Sequence, residues 1–120
     1  MNAEEFVKGL QLVVYRRVVE DVPRIMANPP GRRPREELVQ LSSWFNSLGD
    51  EDKERVKGVV RLTADHAVFG VLAVLDGVRM LDDNHTELHL RTGDGVLLNE
   101  DHELHEIFRS VVDKEIGFSA

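Results

Sequence analysis

The chain has no cysteine in its 120 residues, which excludes disulfides, zinc–thiolate centres and thiol nucleophiles. It has no long apolar run either. The longest uninterrupted block, Ala67 to Leu75, is nine residues, about half of what a bilayer span needs, so no membrane crossing is expected. An excess of basic charge is also lacking: the net charge of -7 argues against nonspecific binding to nucleic acid or to anionic membranes. The opening "MNAEEFVKGL" carries two glutamates and no basic leader, so a secretory signal is not expected and the cytoplasm is the predicted location. Phosphate-binding GxGxxG and GxxxxGKS/T fingerprints, a GxSxG nucleophile elbow, an HExxH pair and an EF-hand loop are all missing. The serines, Ser42, Ser43, Ser47, Ser110 and Ser119, have no plausible base beside them in sequence. No catalytic residue, metal ligand set or cofactor is therefore assigned.

What is present is the composition of one folded domain, 42% hydrophobic and 31% charged, long enough to bury a core without covalent staples. A single domain over residues 1–120 is expected. Charge is uneven along it: residues 1–40 hold seven basic and six acidic groups, residues 41–120 eight and sixteen. An acidic binding face is thus expected in the later part.

Phe6, Val7, Leu10, Val13, Val14, Val18 and Val22 recur at helical spacing from Ala3 to about Val22. Pro23 should kink or stop that helix. "NPPGRRPR" (Asn28–Arg35) gathers three of the four prolines and is a loop. A second helix follows, with Leu38, Leu41, Phe45 and Leu48 as its inner stripe, Trp44 at the flank and Gly49 as its left-handed end. Asp50 should cap a third helix that runs to Asp76 and stops at Gly77. Between Ala67 and Leu75 every side of it is apolar, which predicts a buried central helix. Thr86 to Arg91 alternates with period two, "TGDG" is a turn and "VLLN" a return strand, so one β-hairpin is predicted. Asn99 or Asp101 should cap a C-terminal helix whose apolar face is Leu104, Ile107, Phe108, Val111 and Val112. The expected fold is mainly α: a compact helical domain with a long buried central helix, one β-hairpin and a C-terminal helix, α+β at the margin.

Two groups of polar residues stand out. "ADHAVFGVLAVLDGV" places Asp65, His66 and Asp76 at the ends of the apolar segment, with Arg79 just beyond. Asp65 and Asp76 share a helical stripe but lie about 16 Å apart along the axis, too far to act as a carboxylate dyad. Asp65, His66, Asp76 and Arg79 are accordingly either bonded to neighbouring elements or the lining of a ligand pocket near the central helix and hairpin. Arg32, Arg33 and Arg35 in the proline loop form a candidate contact for an acidic partner. The remaining histidines, His85, His89, His102 and His105, are expected on solvated polar faces.

The stretch "FNSLGDEDKERVKGVVRLTADHAVFGVLAVLDGV" with the later "LHEIFR" resembles small bacterial proteins grouped as domains of unknown function. In these an aspartate-rich helix start leads into a VFGxLxVLDGV-type segment. The resemblance spans residues 45–109, implies a bacterial stand-alone domain and transfers no catalytic residue. The function expected is non-catalytic protein interaction, either as a dimeric accessory protein or as an immunity-type partner. The alternative is a small-molecule or metal-binding protein or enzyme.

Overall fold

The computed structural model describes residues 1–115, so Ser119 lies outside it. Its elements are α1 (Ala3–Leu10), a π-helical turn (Gln11–Tyr15), α2 (Arg16–Ala27), α3 (Glu36–Ser47), α4 (Asp50–Leu75) and α5 (Leu104–Glu115). Internal contacts divide the chain into two compact units, Arg16–Ala64 and Met1–Tyr15 with the residues from Asp65 onward.

In the unit that contains both ends of the chain, α1 packs against α5. Asn2 opens α1 with a capping box: its side-chain oxygen accepts from the Glu5 N–H at 2.8 Å, and the Glu5 carboxylate accepts from the Asn2 N–H at 3.3 Å. Only part of the apolar face predicted for the first helix is buried. Val7, Gln11 and Tyr15 are buried while Val13 and Val14 are exposed. Val7 and Gln11 lie one α-helical turn apart on this stripe, and Tyr15 stands at the far end of the π turn that begins at Gln11. The Gln11 amide is satisfied there by donating to Glu115 Oε2 at 2.7 Å. Tyr15 meets Phe108 edge to face, 5.9 Å between centroids. Leu104, Phe108 and Val112, one stripe of α5, complete this core.

α4 ends in this unit through a Schellman closure. Gly77 adopts φ +79°, its N–H donates to Val74 O at 3.1 Å, and the Val78 N–H reaches Ala73 O at 2.9 Å.

The predicted hairpin does not form: no β-strand occurs among the described residues, and the fold is helical rather than α+β. One antiparallel bridge, Arg91 with Leu97, survives beside the Thr92–Gly95 turn. Asn99 explains why pairing stops there. Its buried side chain accepts from the Leu90 N–H at 2.9 Å and donates to Leu88 O at 2.8 Å and Leu75 O at 2.7 Å. One amide thus satisfies the backbone groups that a second strand would have paired, and ties them to the end of α4.

Between Gly77 and this segment, Asp82 organises the loop by accepting from the Thr86 hydroxyl at 2.6 Å and the Thr86 N–H at 3.1 Å. The hydroxyl bond first, and the backbone bond second, hold the Asp82 carboxyl below its ordinary range. A depressed folded-state pKa means that the bonds favour the folded loop above the unfolded carboxylate range, and that this preference is lost as pH falls through the folded value. Thr86→Val should raise the Asp82 midpoint in a carbon-NMR titration; an unchanged midpoint contradicts the hydroxyl's role.

In the unit Arg16–Ala64, α2 packs against α3. α2 continues through the buried Pro23 to Ala27 instead of stopping. Lacking an N–H, Pro23 leaves the Val19 carbonyl without its intrahelical donor. On α3 the buried residues are Ser42 and Phe45, whereas Leu41 and Trp44, expected inside and at the flank, are exposed. Asn46 Nδ2 donates to Ala27 O at 3.0 Å, closing one open carbonyl at the end of α2. α3 ends through an extended Leu48 (φ -78°, ψ 151°), so Gly49 is not the left-handed terminator predicted.

The long helix exists, Asp50–Leu75, about 39 Å at 1.5 Å per residue, but it is not enclosed. Ala64, Leu72 and Ala73 are buried; Ala67 faces outward and Val71 is 62% exposed. By length and composition α4 is able to cross a membrane, and 17% of its apolar window is buried. Apolarity on every side reports what a helix must cover, not that its own chain supplies the cover.

Candidate functional site

The stripe Asp65, Phe69, Leu72 and Asp76 on α4 is answered by His105 and Arg109, one turn apart on α5. Arg109 Nη1 donates to both Asp65 oxygens, at 2.9 and 2.8 Å. The same guanidinium lies 4.7 Å from the Phe69 centroid, a cation–π contact. His105 meets Phe69 edge to face at 5.6 Å. Arg79 reaches Phe69 from the loop, its guanidinium carbon 5.9 Å from the centroid. This also accounts for Gly70: a Cβ there would lie 3.1 Å from Arg79 Nη1.

Asp76 is the most constrained member. Its side chain is fully buried. Oδ2 accepts from the His105 N–H at 2.8 Å and from His105 Nδ1 at 2.5 Å. The first bond satisfies an open donor in the first turn of α5, so Asp76 caps that helix from the end of α4. His102 Nδ1 lies 3.0 Å from the Asp76 carbonyl, closing an open acceptor at the helix end. Asn99 or Asp101 was expected to cap α5; Asn99 instead binds the extended segment, and Asp101 is exposed. Asp76 Oδ1 is buried with no hydrogen-bond partner among the described residues.

A carboxylate holding an imidazole through Nδ1 is the orienting half of an acid–base pair. Nε2 of His105 lies 3.9 Å from Glu106 Oε1, and a carboxylate is not a nucleophile that a base would activate in that position. The arrangement joins two helix ends. Among the described residues no group of three or more histidine or acidic side chains could hold a metal ion. No family model, curated protein or solved structure matches the chain. The residues must therefore be read from their own geometry.

Of the four residues singled out as possible ligand contacts, Asp65 and Asp76 bond to different residues of α5, Arg79 stacks on Phe69, and His66 is exposed. They do not converge on one point. His105 and Arg109 are the partners that sequence reasoning did not name; the available signal was two basic-capable side chains one turn apart beside the apolar face of α5. His105 is nearly enclosed, against the solvated position expected for it, whereas His102 is exposed and also bonds to the Asp76 backbone. His85 and His89 are exposed. Arg32, Arg33 and Arg35 are exposed in the loop after α2, with no carboxylate partner among the described residues.

Proposed function

We propose that the protein is a non-catalytic interaction module whose apolar α4 surface is covered by a second copy of the chain. The observation that carries this reading is the exposure of α4: Val59, Leu62 and Val71 are each more than half exposed on a helix with few polar residues in its second half. Isolated exposed apolar residues need no explanation, but Val59 and Leu62 are one turn apart and Val71 stands on another side of the same helix, so α4 leaves apolar side chains open on more than one side. The groups that could do chemistry point the same way, since Asp65, Asp76 and His105 are engaged with one another's helices.

A second copy is the simplest cover because an isologous contact matches the same surface to itself. Charge favours it as well. Residues 16–64 hold ten basic and eight acidic groups, and the rest of the chain five and fourteen, so the loop of Arg32, Arg33 and Arg35 has acidic surface to meet on another copy. The net charge of -7 opposes a bilayer with anionic lipids.

Light scattering of the purified chain should give a mass above the 13.6 kDa of one copy, and Val71→Asp should return it towards one copy without unfolding. A wild-type chain that stays single overturns the self-association reading. If that single chain also floats with phosphatidylcholine vesicles, the exposed helix is a membrane-binding surface instead.

A further inference from the structure

A groove of about 530 Å³ opens within the unit Arg16–Ala64, between α2, α3 and the start of α4. Its volume falls in the range of small-molecule sites, about 300–1,000 Å³. Apolar atoms of Val19, Pro23 and Phe45 line one part of it, and the charged groups around it are Arg24, Lys53 and Lys57 against the single carboxylate of Glu20. None of these residues belongs to the groups singled out in the sequence or to the α4–α5 contact.

The cations differ in how firmly they are held. Arg24 pairs with Asp21 at 2.8 Å and Lys57 with Glu54 at 3.0 Å. Both are solvated pairs within one helix, the kind that contributes little and is readily exchanged. Lys53 has no carboxylate partner among the described residues; its ammonium sits 5.7 Å from the centroid of the buried Phe45 ring. Lys53 and Lys57 are one turn apart on α4 and line the groove from the same side.

We infer that this groove binds a small amphiphilic monocarboxylate, its carboxylate between Lys53 and Lys57 and its hydrocarbon body over Val19, Pro23 and Phe45. Two ammonium donors with an apolar floor suit one negative charge on an apolar body. A dianion is disfavoured because Glu20 lines the same groove and Asp21 and Glu54 stand beside Arg24 and Lys57. The chemistry is binding alone, with no bond made or broken.

The test is titration of the isotope-labelled full chain with decanoate, decanol and decyltrimethylammonium, below their micelle concentrations, followed by amide NMR. Decanoate should shift groove residues saturably and bind roughly tenfold more tightly than decanol, as a charge-assisted contact would give. The cationic analogue should not saturate. Lys53→Gln with Lys57→Gln should remove the difference between decanoate and decanol while leaving the spectrum otherwise folded. Equal binding of decanoate and decanol, shifts scattered outside the groove, or an unchanged preference in the double variant each overturns the inference. So does a saturable response to an acidic amphipathic peptide alone, which would make the groove a peptide site.

Discussion

Leu72→Asp should leave the protein unfolded, whereas Val71→Asp, one residue earlier, should leave it folded. Leu72 is 1% exposed and Val71 is 62% exposed on the same turn of α4. Truncating a buried leucine costs about 2–5 kcal/mol through lost transfer energy and the cavity left behind. An unpaired carboxylate in that space adds several kcal/mol more. Together these approach the whole stability of an ordinary domain, about 5–15 kcal/mol. At position 71 the new carboxylate stays in water, so its effect falls on association. Circular dichroism melting and amide NMR dispersion separate the two variants. A Leu72→Asp protein that melts like the wild type would contradict the orientation of α4, and so would an unfolded Val71→Asp protein.

The second large effect is expected at Asp76. Asp76→Ala removes two things at once, the external cap of α5 and the bond to His105 Nδ1, and with them the carboxylate link between these two helix ends. Loss of a cap costs about 1 kcal/mol, and leaving the partner of a buried hydrogen bond unsatisfied about 1–3 kcal/mol. These terms overlap, and a total loss of about 2–4 kcal/mol is expected from urea denaturation at unchanged m-value. Asp76→Asn keeps one oxygen for the His105 N–H, so its stability should lie between alanine and wild type. Its amide nitrogen would replace one of the two carboxylate oxygens, which is why it should not fully rescue. A loss below about 1 kcal/mol for the alanine variant would show that α5 is capped elsewhere.

These two residues also show how far the sequence could be read. The helices were legible because their signals are local. Apolar residues at helical spacing mark α1, the proline loop separates α2 from α3, Asp50 marks the start of α4, and Gly77 closes it. The inner stripe of α5 was legible for the same reason, since Leu104, Phe108 and Val112 repeat at helical spacing. The buried face of the first helix was not. Its stripe runs through Gln11 and Tyr15, which carry polar groups, and the valine pattern leaves both out.

The hairpin failed for a different reason. Alternation of Thr86, Leu88 and Leu90 with polar residues describes an extended chain, and the segment around Leu90 does carry one bridge. Whether extended chain becomes a strand depends on which groups take its backbone hydrogen bonds. Here the Asn99 side chain takes them, and a single asparagine next to a turn looks like a cap in sequence. The candidate site shows the same limit. Asp65 and Asp76 could be identified as polar groups needing partners, but Arg109 and His105 lie far along the chain and no local spacing links them.

What the sequence by itself determined is the set of helices and the closing of α4 at Gly77, because apolar periodicity and a glycine stop act over a few residues. It also excluded thiol chemistry outright, because the atoms are not there. The tertiary structure decided which face of each helix is covered, which polar groups are paired, and that the apolar α4 keeps an open side. Those outcomes rest on residues dozens of positions apart reaching the same few ångströms, and burial is a property of the neighbours rather than of the residue.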